Sequence, residues 1–226
     1  MMRISKKVSR AVVVSAIALS ALAMGSAAAF ASGSFAATAG SAPAGTVVPY
    51  SATTTGASPQ VTFKDTTGGT TLNCASASAA GTVTVGSGRD SLKLGTINGA
   101  TTGWNTCTGP FGLVLTVTGI NTWYIDATGS TVSGVTPGRI SSVTAHVAGS
   151  CSFDVTGTVA GTYTNGTSSG TLTLPGTTSG LTISNVSGSS CAFVNIANGH
   201  LASFKATYGV TANTSSYNPI SINGTI

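Results

Sequence analysis

Beyond its first thirty-one residues this chain carries few groups that could do acid–base or metal chemistry. They are Asp65, Asp90, Asp126 and Asp154, with His146 and His200, and there is no glutamate at all. Glycoside hydrolysis needs two carboxylates held close together, and a calcium loop needs several on one short segment. The four aspartates form no D-x-D pair and no cluster, so their spacing points to neither chemistry. Two histidines without C-x-x-C or glutamate give no zinc pattern either. No metal and no other cofactor is expected.

Nucleophilic catalysis is the remaining enzymatic option. Serine is abundant, so a dispersed Ser-His-Asp site using His146 or His200 stays open. G-x-S-x-G with its strand–turn–helix context is missing. "GRDSL" at 88–92 superficially resembles the GDSL hydrolase block, but Arg89 interrupts the motif and the late D-x-x-H is absent. Alternation turns Asp154 outward beside Ser152 and Thr156, which makes it a surface acid. His146 reads as an outward strand residue. His200 follows an Asn-Gly turn and reads as a partly covered polar residue. Trp123 shares a face with Ile125 and reads as core. Trp104, in the loop "TTGWNTC", is the one candidate ligand contact, because loop tryptophans more often face partners. No residue is assigned a catalytic role.

The elements that would position these groups are strands. "GTVTVG", "GLVLTVTG", "TWYIDATG", "SSVTAHVAG", "GTLTLPG" and "LTISNVSG" are short alternating runs rich in Thr, Val, Ile and Leu, separated by Gly, Asn and Pro. Asn-Gly at 98, 165, 198 and 223 suits tight turns. From Cys151 to Tyr163 the odd positions form an apolar face and the even ones a polar face. Gly157 and Gly161 fall on the apolar face, where they mark either a bulge or a ring lying close over the backbone. Glycine interrupts every window of helical length, so no amphipathic helix is expected. The fold class is therefore all-β: an antiparallel β-sandwich or barrel-like pair of sheets spanning 60–226. Residues 32–59, rich in Ala, Ser, Thr and Gly, read as a flexible lead-in, with "GTVVPYS" as an edge strand because proline is tolerated there.

Residues 1–31 have the three-part form of a secretory signal peptide. Arg3, Lys6, Lys7 and Arg10 precede an apolar run, then "SAAAFAS" offers cleavage after Ala31, with Ala29 or Ala39 as alternatives. The run is too short for a good membrane span. Four of the nine basic residues lie in this leader. The remainder balances Lys64, Arg89, Lys93, Arg139 and Lys205 against its four aspartates, a net charge of +1. Nucleic-acid binding needs clustered positive charge and is not expected, nor is a membrane span in the mature chain. The leader has a bacterial form, so the N-x-S/T sequons are read as turn composition.

The four cysteines, Cys74, Cys107, Cys151 and Cys191, imply two disulfides in an exported chain, with three connectivities open. A faint duplication narrows these. "TLNCASASAAGTVTVG" resembles "AGSCSFDVTGTVAG", and "LGTINGATTGWNTC" resembles "LTISNVSGSSC". If the chain holds two similar halves, 60–136 and 137–226, the parsimonious bridges are Cys74–Cys107 and Cys151–Cys191.

"NTCTGPFGLVLTVTG", "TWYIDATG", "CSFDVTGTVAGTYTNGT", "LTISNVSG" and "FKATYGV" together resemble a group of uncharacterised secreted actinobacterial proteins. A weaker similarity, in the leader, the cysteine spacing and the "GT" strands, is to exported bacterial proteins named as activators of alkane oxidation. Either resemblance implies a shared fold and brings no catalytic residues. The functional expectation is a secreted, non-catalytic protein that binds an unknown extracellular or cell-wall ligand or plays a structural role, outside the cell or at its envelope. The alternatives are a secreted hydrolase, which requires Ser, His and Asp to converge in a cleft, and a carrier, which requires a large apolar cavity. An adhesive or structural role instead requires an exposed aromatic or Thr-lined face.

Overall fold

A computed structural model describes residues 33–226, so the leader expected over 1–31 lies outside the described residues. Four long strands organise the rest: β4 (Thr71–Thr84), β10 (Val135–Ala148), β11 (Ser152–Thr164) and β14 (Leu201–Ala212). Each is long enough to pair with one set of neighbours near one end and another set near the other. At one end the circuit runs β4, β7 (Gly103–Thr108), β8 (Val114–Gly119), β10, β11, β13 (Leu181–Ser187), β14, β3 (Val61–Asp65) and back to β4. At the other it runs β4, β6 (Gly95–Asn98), β9 (Thr122–Ala127), β10, β11, β12 (Gly170–Pro175), β14, β2 (Val47–Thr54) and back. Every pairing is antiparallel. Both circuits close on eight strands, so the architecture is a barrel with no free edge.

The alternation read from the sequence sorts the side chains. On β11, Phe153, Val155, Val159 and Tyr163 are buried inside while Thr156 faces solvent. Gly157 takes a φ of 138°, beside a shift in the β10–β11 register between Ile140 and Val143. The extra residue of that bulge is on β10, where the three steps from Ile140 to Val143 oppose two on β11 and Ser142 takes a φ of 57°, and Gly157 lies opposite it. Gly161 answers a different constraint. A Cβ there would sit 2.6 Å from Leu174 Cδ2 and 2.5 Å from the Thr173 carbonyl. The crowding comes from β12 and not from an aromatic ring.

A second sheet orders β5 (Gly86–Arg89), β1 (Ser34–Ala39) and β15 (Ile220–Thr225). It is tied to the β2/β12 end of the barrel. Tyr163 Oη donates to the Ile220 carbonyl at 2.8 Å, Asn165 exchanges hydrogen bonds with Ile222, and Thr136 Oγ1 donates to the Ile222 carbonyl. The opposite end carries α1 (Ser190–Phe193), with Val194 and Ile196 buried after it. Thr70 Oγ1 donates to the Val194 carbonyl and Asn195 Nδ2 donates to the Gly68 carbonyl.

The lead-in expectation is corrected. Much of 32–59 is structured, because β1 and β2 bury Phe35, Ala37, Ala39, Val48, Tyr50 and Ala52. The alternation was present, but three of these six inward residues are alanines, too small to stand out. Nor is β2 an edge strand, since it pairs with both β4 and β14. Pro49 is tolerated for a geometric reason. Its carbonyl accepts from Asn213 N, just past the end of β14 at Ala212. The nitrogen and carbonyl of one strand residue point the same way, so the missing N–H falls beyond the β14 ladder. The two halves share one core: β14 pairs with β2 and β3, and β10 with β8 and β9.

The disulfides are Cys74–Cys107, joining directly paired residues of β4 and β7, and Cys151–Cys191, joining the start of β11 to α1. They span 33 and 40 residues. Loop closure of that length stabilises by about 3–4 kcal/mol each in the chain-entropy model. Replacing either pair by alanines is expected to lower the urea unfolding free energy by about that amount, with the fold retained by circular dichroism.

Candidate binding cavity

The inward faces enclose an apolar cavity of about 120 Å³ along the barrel axis. Every strand of both circuits contributes to its wall, which is mostly aliphatic and aromatic, includes Ser78 and Thr102, and holds no charged side chain. Phe63 and Phe204 lie toward the disulfide end, and Tyr50, Tyr163 and Tyr208 toward the β15 end, where Ile220 and Ile222 also reach the cavity. An eight-stranded barrel has an interior that side chains fill or that holds one small ligand. Here the filling is incomplete.

The two tryptophans flank the place where the wall changes strands. β6 gives way to β7, and β8 to β9, through corners joined by Gly99 N donating to the Asn121 carbonyl. Trp123 is buried and its Nε1 donates to the Ile120 carbonyl at 2.9 Å. Trp104, the candidate ligand contact, is half-buried on β7 with its ring centre 6.3 Å from that of Trp123. Both rings line the cavity.

The tyrosines differ in how their hydroxyls are used. Tyr50 donates to the Thr96 carbonyl and Tyr163 to the Ile220 carbonyl, each at 2.8 Å. Tyr208 Oη forms no hydrogen bond among the described residues, although the residue is only 7% exposed. Burial pushes all three phenols well above their ordinary value, with Tyr163 adding to the effect at Tyr50. They stay protonated across the physiological range.

Both histidines are paired, which sequence reasoning missed. His146 Nδ1 lies 2.6 Å from Asp154 Oδ1, and Asn185 Nδ2 donates to the other carboxylate oxygen at 2.6 Å. Asp154 is therefore a surface acid but not a lone one. These hydrogen bonds, Asn185 first and then His146, hold its carboxyl below the usual aspartate value. His146 and Asp154 face each other across the β10–β11 hairpin, so a turn centred on Ser150 would have revealed the pair. His200 Nδ1 lies 2.7 Å from Asp65 Oδ2. Asp65 is fully buried, and its Oδ1 accepts from Thr67 N and Gly68 N. That contact joins β3 to the start of β14 and no local pattern announces it.

Two of the three groups of a Ser-His-Asp site thus meet at two places. Among the described residues no hydroxyl is hydrogen-bonded to either Nε2, and neither pair lines the cavity. Asp126 accepts from Lys93 N at 2.9 Å and Arg139 Nε at 3.1 Å, where it ties β9 to β10. No group of three His, Cys, Asp or Glu gathers among the described residues. None of their helices is long and apolar enough to cross a membrane.

Fold and cavity together define a closed, disulfide-stapled antiparallel β-barrel with an apolar interior. No protein-family model, curated protein or solved structure matches the chain.

The two aspartates should respond differently to substitution. Asp65→Ala removes the acceptor of two backbone N–H groups and of the His200 ring, and is expected to cost about 3 kcal/mol in urea unfolding. Asp154→Asn, near the surface, should cost much less. Its deficit should be present above about pH 4 and fade as pH falls further. The wild-type carboxylate contributes only while ionised, and its folded value lies below the unfolded one.

Proposed function

We propose that this is an exported, non-catalytic binding protein that carries one small apolar molecule inside its barrel. The single observation behind this reading is the uncharged cavity of about 120 Å³ enclosed by both strand circuits. An apolar cavity of about 150 Å³ in another protein stays dry and accepts benzene, so the size suits a compact ligand of six or seven heavy atoms. Export rests on the leader pattern of residues 1–31, and the two disulfides are consistent with an oxidising compartment. The barrel places Thr156 and its polar neighbours outside and apolar groups inside, the reverse of a lipid-facing barrel. A hydrolase is disfavoured, because neither His–Asp pair has a hydroxyl partner.

Binding should be visible directly. Benzene at ten times its dissociation constant should raise the stability by about 1.4 kcal/mol, a melting shift of about 3–6 °C for a domain of this size. Trp104 and Trp123 should report the same event by fluorescence. If neither signal moves up to the solubility limit of benzene, the carrier reading fails.

A second reading has its own observation. Phe111 and Phe193 are 84% and 71% exposed with ring centres 4.9 Å apart, and Val114 nearby in the chain is 73% exposed. Phe111 lies between β7 and β8, and Phe193 on α1, so the pair sits at the disulfide end. Such a tip suits adhesion to an apolar surface. Phe111→Ser with Phe193→Ser should reduce retention on a phenyl resin by several-fold and leave benzene binding unchanged. Unchanged retention removes the adhesive reading.

A further inference from the structure

We infer, on the reading that the cavity is a binding site, that its ligand is an uncharged molecule bearing one oxygen acceptor, which Tyr208 recognises through its hydroxyl. The three tyrosines of the interior supply the contrast. Tyr50 and Tyr163 each spend their proton on a backbone carbonyl, Thr96 and Ile220 respectively. Tyr208, equally buried and on the same wall, spends its proton on no described residue. Its oxygen is also not among the buried polar atoms that lack accessible surface. The side chain lines the cavity and its oxygen keeps some accessible surface.

A buried hydroxyl without a partner is uncommon, since most buried polar groups are hydrogen-bonded. An ordered water is a poor partner here, because a buried water needs two to four polar groups of its own. Of the other hydroxyls in the wall, those of Tyr50, Tyr163 and Thr102 are already engaged on backbone carbonyls, which leaves only Ser78. A ligand oxygen solves the problem with one contact while its apolar remainder fills the cavity. This is the usual construction of a small-molecule site, mostly apolar with a few placed polar groups. The absence of any charged side chain from the wall excludes a carboxylate or ammonium ligand, which would be buried unpaired. The chemical class is a compact ketone, aldehyde, ester or ether.

Cyclohexanone and methylenecyclohexane test the inference, since they share a shape and differ by one acceptor oxygen. Affinities for both would be measured with the full mature protein and with Tyr208→Phe, which keeps the ring. Tyr208→Phe should weaken cyclohexanone about tenfold and leave methylenecyclohexane within about twofold. Retained hydrocarbon binding also shows that the variant is folded with its cavity intact. Equal affinities in both proteins, or an equal loss of both ligands, overturn the role of the hydroxyl. If wild-type protein binds neither molecule, the cavity is not a binding site and the inference falls with that reading.

Discussion

Ring closure is the constraint on which the rest of this structure depends. Four strands of twelve to fourteen residues run the length of the molecule, and each changes partners part-way along. Once β14 pairs with β2 and β3, and these pair with β4, the sheet has no edge left. A period of two then acts on every strand together. One face of each becomes lining and the other becomes surface. The apolar half of the chain is thus committed to a single interior, and the Thr and Ser half needs no charge to stay hydrated.

The same closure explains why the interior is incompletely filled. Eight strands fix a width that side chains must match. The lining includes small residues such as Ala52, Ala79, Gly95 and Ala145 among the aromatics. The β1–β5–β15 sheet lies at one end and the segment around α1 at the other. The bonds that hold them are polar and specific. Tyr163 grips Ile220, Asn165 grips Ile222, and Asn195 grips Gly68. The disulfides act at one end only, where β7 and α1 are short and have little ladder of their own.

Functional groups are distributed by the same logic. The His–Asp pairs lie outside the cavity wall and fasten strands: His146–Asp154 across a hairpin, His200–Asp65 between β3 and β14. Chemistry-bearing residue types are present, but they are used as clamps. The groups that face the cavity are uncharged, and Tyr208 is the one of its three tyrosines whose hydroxyl has no partner among the described residues.

Much of the fold was legible because alternation is local. The strands from "GTVTVG" to "LTISNVSG" and the inward face of Cys151–Tyr163 follow from side chains two residues apart. The duplication pointed to both disulfides. The lead-in was misread because alanine carries too little apolar surface to show a face until the partner strand is known. The His146–Asp154 pair was within reach, given the hairpin turn. His200–Asp65, the choice of a barrel over a sandwich, and the cavity were not. By itself the sequence determined strand content and the polarity of faces, both properties of neighbours along the chain, and through a faint repeat it favoured one cysteine pairing without fixing it. The tertiary structure alone decided which strands meet around the ring, and therefore what volume the inward side chains leave unfilled. That volume is set by contacts between residues more than a hundred positions apart, such as Tyr208 and Thr54, about which a local pattern carries no information.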